Sequence, residues 1–324
     1  MSAPTLPGVD RMTVLLHRRT LWLGLGLVVL AGFLAGGVRL WKQLAPDRAA
    51  CMAGADRVEE CGTSLLGYPY AESWHRLFAD SGGLTLLAVP PLLAALVAGP
   101  VIARELEGGL HRLAWTQSVT PTRWLASRLA VFATAAMALS TALVVIYRVT
   151  WRPMAADSGT YWYDTGTYES SGPVLVALSL LGVAVGALIG ALTRRTITAL
   201  ATGVVATVAV QLVLIYFRPR LWPSSTMSWI NELGDDQPSG PIWPVAYGWV
   251  NGSGERVPNT LCDNVHKWSE FESCQDRHDI VGQYMDYHPT SHHWPLQFVE
   301  TGIVLALAAV AVFVTFRVLR ARTP

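Results

Sequence analysis

Six stretches of about twenty nearly charge-free residues constrain this chain more than any other feature. They run approximately over 20–40, 83–102, 124–147, 173–192, 197–217 and 296–316. An α-helix rises about 1.5 Å per residue and a bilayer's hydrocarbon core is about 30 Å thick, so each stretch is long enough to cross it. Lipid offers no hydrogen-bond partners, so each must satisfy its own backbone as a helix. A composition of 52% hydrophobic and 15% charged residues, with mean hydropathy +0.35, does not suit a soluble globule. The sequence predicts an all-α polytopic membrane protein with six transmembrane helices. The first stretch reads as a span rather than a cleaved signal peptide, because it stays apolar through Val38 with no clear small-x-small cleavage site after it.

Charge placement gives the orientation. Short basic loops stay in the cytoplasm, whereas long loops translocate largely regardless of charge. Arg18 and Arg19, Arg104 with Arg112 and Arg123, Arg194 with Arg195, and Arg317 with Arg320 and Arg322 all fall on one side. Three long loops holding most of the acidic residues, 47–80, 157–169 and 232–286, fall on the other. Both termini are therefore expected in the cytoplasm. The expected organisation is a cytoplasmic or interfacial segment 1–19, five spans with an inner loop 103–123 over 20–217, an extracellular subdomain 218–295, and the sixth span with its tail over 296–324. A net charge of only +1 gives no global basic field, so nucleic acid is not an expected partner.

All four cysteines, Cys51, Cys61, Cys262 and Cys274, lie in these outer loops. An oxidising compartment favours disulfides there. Four cysteines allow three connectivities, of which the two local pairs, Cys51 with Cys61 and Cys262 with Cys274, close short loops that can form independently. Neither pair has zinc-type or Cys-x-x-Cys spacing. The remaining metal candidate, Asp286 with His288, His292 and His293, places two adjacent histidines that tend to point apart, and no metal site is expected.

Three further features bear on packing and function. Gly182, Gly186 and Gly190 stand four apart in the fourth span, so another helix can approach closely on that face, within the fold or between subunits. Gln297 and Glu300 lie three apart on one face at the start of the last span. A charge at mid-membrane costs about 2.5 to 3.5 kcal/mol, less near the interface. That pair reads either as an outer gate or substrate contact or as a structural hydrogen bond. The inner loop carries Arg104, Glu105, Glu107, His111 and Arg112 beside an apolar stripe of Leu106, Leu110 and Leu113, with a helix break expected at Gly108 and Gly109.

The run Arg104-Glu-Leu-Glu107, then Gly109, His111-Arg-Leu-Ala-Trp115-Thr-Gln117-Ser-Val and Arg123-Trp124 resembles the type-2 export class of ABC transporter permeases as found in actinobacteria. The fourth-to-fifth hairpin Gly186 to Thr196 and the run Trp294 to Glu300 resemble the same family. The resemblance implies a type V exporter-like half-translocator whose inner loop docks on a separate ATP-binding subunit. Arg104, Glu105, Glu107, His111, Arg112 and Trp115 are the residues it places at that contact. Independently, the chain contains no Gly-x-x-x-x-Gly-Lys-[Ser/Thr] loop to hold a nucleotide. ATP and Mg²⁺ are therefore expected in the partner ATPase, with no cofactor and no catalysis here. The other expected partners are a second permease copy, as a homodimer, and the lipid bilayer. The expected function is export of a hydrophobic or amphipathic substrate such as a drug, peptide or lipid. The competing readings are a receptor whose stapled outer loops bind a ligand without transport, and a membrane-embedded enzyme, for which Glu300, Gln297 and Gln211 are the main polar groups available.

Overall fold

Within the second span, two adjacent prolines, Pro90 and Pro91, deprive a helix of consecutive backbone donors, and a third, Pro100, does so again one span-third later. The rest of the membrane fold is arranged around how that span copes. The computed structural model describes residues 14–44, 73–74, 77, 81–108, 120–230, 241–264 and 267–322. They fall into two compact units, one of 1–215 with 300–324 and one of 216–299.

Among the described residues, six helices are long and apolar enough to cross a membrane. They are α1 (Arg18–Leu44), the broken span α2 (Ser81–Glu107), α3 (Pro121–Ser158), α5 (Pro173–Thr193), α6 (Thr196–Phe217) and α8 (His293–Arg322). Short α4 (Thr167–Ser170) precedes α5. Every predicted span is present, and several helices run on past the apolar stretch. Pro121 opens α3 at its first position, where its missing N–H costs nothing. Thr120 caps it, its hydroxyl accepting from the Arg123 N–H.

In α2 the ladder fails at Leu87–Ala88, which form a turn. Pro91 has no N–H to offer the Leu87 carbonyl, and Gln211 of α6 donates to it from Nε2 at 3.1 Å. Ahead of Pro100 the helix widens into a π-helical turn over Leu93–Ala98, ending in a bond from the Gly99 N–H to the Ala94 carbonyl. The glycine face of α5 packs on this distorted stretch. A Cβ at Gly182 would overlap the Pro90 carbonyl, one at Gly186 would lie 2.7 Å from the Ala94 oxygen, and one at Gly190 would lie 2.6 Å from the Gly99 oxygen. The glycine stripe thus serves packing within the fold.

The loop 159–172, expected as a polar loop between spans, is packed into the fold at its end. Tyr168, Glu169 and Ser170 are fully buried. Gly166, at φ +92°, passes against the backbone of Gly83 and Leu84, a conformation and a closeness that exclude a side chain. The Glu169 carboxylate accepts from the Gly166 N–H at 2.6 Å, the Ser170 hydroxyl donates to the Gly83 carbonyl, and the Tyr147 and Thr167 hydroxyls bond at 3.1 Å. Local capping satisfies an acidic residue that sequence position alone assigned to water.

The second unit adds β-structure to an otherwise helical chain. An antiparallel sheet in the order β1-β4-β2-β3 comprises β1 (Ser225–Ile230), β2 (Trp243–Asn251), β3 (Arg256–Pro258) and β4 (Ile280–His288). Helix α7 (Trp268–Arg277) is stapled to the turn Asn259–Cys262 by the Cys262–Cys274 disulfide. That is the expected local pairing, and Cys51 and Cys61 lie outside the described residues.

Candidate functional site

The end of α2, where the chain leaves the bilayer for the loop to α3, carries two glutamates in a helix's last turns. Carboxylates are unfavourable there, because unpaired carbonyls make that end negative. Both find cations or donors on other helices. Glu105 Oε2 accepts from the Trp124 indole at 3.1 Å and from Arg128 Nε at 3.3 Å, and Arg128 Nη2 stands 3.0 Å from Oε1. His17, just ahead of α1, brings its Nε2 to 4.0 Å from the same carboxylate. The glutamate side chain is only 12% exposed, so its surroundings are of low dielectric and the pair is stronger than a surface ion pair. Burial, and after it the Arg128 charge, lower the His17 pKa from its ordinary value.

Glu107 points elsewhere. Its Oε2 accepts from the backbone N–H of Thr196 at 3.2 Å and from the Thr196 hydroxyl at 2.9 Å. It therefore caps α6 from outside, at a helix start whose unpaired N–H groups favour an anion. The same hairpin turns through Arg194 at φ +51°, with Arg194 and Arg195 exposed at its tip. The last turn of α2 is thus pinned to different neighbours on opposite sides, Glu105 to α3 and the start of α1, Glu107 to α6. Beneath them, Ile102, Leu106, Trp124, Leu125, Leu129, Ala191 and Leu319 form a buried apolar cluster.

Of the six residues expected at the partner contact, Arg104 is exposed and Glu107 is exposed though bonded to Thr196. Glu105 is turned inward, and His111, Arg112 and Trp115 lie outside the described residues. Gln297 and Glu300 are wholly buried. In the second unit, His288 donates from Nε2 to the Pro219 carbonyl at 3.0 Å, which leaves its Nδ1 to accept from His292 Nδ1 at 3.0 Å. Asp286 is engaged by Arg256 at 2.8 Å. Among the described residues no group of three or more potential ligands is placed to hold a metal. Arg128, Trp124 and Thr196 are the residues sequence reasoning missed. An arginine within an otherwise apolar span was the available signal for the first.

Six spans, a buried polar tie between their ends and a helical core define a multi-pass membrane protein. The model of the ABC-2 membrane transporter related family matches residues 23–218, from the first span to the end of the fifth, and the chain belongs to that family. It is accordingly the transmembrane permease component of an ABC transporter, a class that works with an ATP-binding partner. No curated protein and no solved structure matches this chain.

Proposed function

We propose that this chain is the membrane half of an ATP-driven exporter for hydrophobic or amphipathic substrates. In this reading both termini are cytoplasmic and two copies pair with two ATPase subunits, which bind ATP and Mg²⁺. Closure of the ATPase dimer displaces the loop 103–123, and the displacement biases the spans between two conformations of different substrate affinity. The observation that carries the proposal is the double tie at the end of α2. A push on the loop reaches α3 through Glu105 and Arg128, and α6 through Glu107 and Thr196. Arg104, His111, Arg112 and Trp115 are assigned the contact with the ATPase. Glu105 and Glu107 carry its motion into the membrane. Arginines at every short inter-span turn support the orientation.

Glu300, buried about two turns into α8, suits an outer gate that opens as α8 moves. The test of the whole reading is purification from the native host in mild detergent. An ATP-binding subunit is expected to accompany the chain and to show stimulated ATP hydrolysis after reconstitution. A chain that purifies alone and stimulates nothing would contradict it.

A further inference from the structure

Helix α1 touches its own unit at two levels and stands away between them. At its start the His17 ring meets the edge of Phe132, with centroids 5.2 Å apart. Further along, Ala35 is buried, and a Cβ at Gly32 would lie 3.7 Å from Ile146 Cδ1. Between these levels a crevice of about 570 Å³ opens, walled by Leu21, Gly24 and Val28 of α1, Leu96 of α2, and Ala135 and Leu139 of α3. Its polar groups are confined to the end at His17 and Thr20. Arg18 and Arg19 stand exposed at that same end.

We propose that this crevice binds one acyl chain of a phospholipid from the leaflet on the Arg18 side, with the phosphate at Arg18 and Arg19. Water does not settle in a hydrocarbon-lined space that offers no polar partners, and an empty one forfeits dispersion contacts along its walls. The occupant is therefore apolar. From His17 to Val28 the wall of α1 runs about 16 Å, close to one leaflet of a core about 30 Å thick. A single extended chain fits that length, and the two cations at the mouth match the charge of the headgroup to which it is joined.

The inference does not rest on transport, and its test needs neither ATP nor a partner. The full chain is placed in phosphatidylglycerol vesicles containing a phospholipid with a photoreactive diazirine in mid-chain, and the labelled residues are mapped. Crevice residues are expected to label at least about fivefold above the lipid-facing Val205 and Leu212 of α6. Gly24→Trp, which projects into open space, lowers crevice labelling about fivefold and leaves α6 labelling unchanged. Arg18→Gln with Arg19→Gln lowers it by about fivefold per arginine. Equal labelling of crevice and α6, or crevice labelling indifferent to Gly24→Trp, would reduce the site to ordinary boundary lipid and overturn the proposal. Disulfide capture of Leu21→Cys by the same residue of a second copy would overturn it in favour of a subunit contact.

Discussion

Helices α1 and α5 are alike on paper, both apolar, uncharged through their centres and rich in glycine, yet they occupy opposite places in the fold. In α5, 72% of the most apolar window is buried, and in α1 only 6%. Hydrophobicity does not separate them, because lipid tails are as apolar as leucine and give helices no hydrophobic reason to associate. What separates them is the arrangement of small residues. The three glycines of α5 lie on one face and each meets the backbone of α2, whereas Gly24, Gly26, Gly36 and Gly37 of α1 meet nothing within 4 Å. Close backbone approach needs small residues set against a partner's backbone, and α2 presents the Pro90, Ala94 and Gly99 carbonyls to the glycine face of α5.

That contrast can be broken by substitution. Gly186→Leu drives a side chain into the Ala94 backbone and is expected to cost more than about 3 kcal/mol, read as loss of monodisperse protein in detergent. Gln211→Leu leaves the Leu87 carbonyl without its donor and is expected to cost about 1 kcal/mol, visible as a lower melting temperature. Gly26→Leu and Gly36→Leu in α1 are expected to change stability by less than about 0.5 kcal/mol. An α1 substitution as damaging as the α5 one would show that both helices are packed in the assembled protein.

Much of this was legible beforehand for a physical reason: a span must be apolar over a fixed length, and that requirement is written locally. The six spans, the tight hairpin at Thr193–Thr196 and the pairing of Cys262 with Cys274 all depend on residues near one another in sequence. The break at Leu87 is different, since it is stable only because Gln211, 124 residues away, supplies the missing donor. Glu105 looked like a surface contact because an inner loop is usually solvated. Its inward turn depends on Arg128 and Trp124 presenting themselves on another helix. The sheet of the second unit was hidden in a stretch expected only as an extracellular subdomain, and its strands pair across as many as 62 positions. Local pattern reports what a segment must be, and long-range partners decide what it does.

The central claim is that Glu105 and Glu107 transmit motion rather than hold the partner. Its most direct test is the doubly substituted chain Glu105→Gln with Glu107→Gln, reconstituted with its ATP-binding subunit and assayed for association and for substrate moved per ATP hydrolysed. The account predicts association unchanged and transport per ATP lowered at least about tenfold, the equivalent of about 1.4 kcal/mol of lost coupling. Loss of association itself would return both glutamates to the contact surface. Association and transport both intact would contradict the account outright.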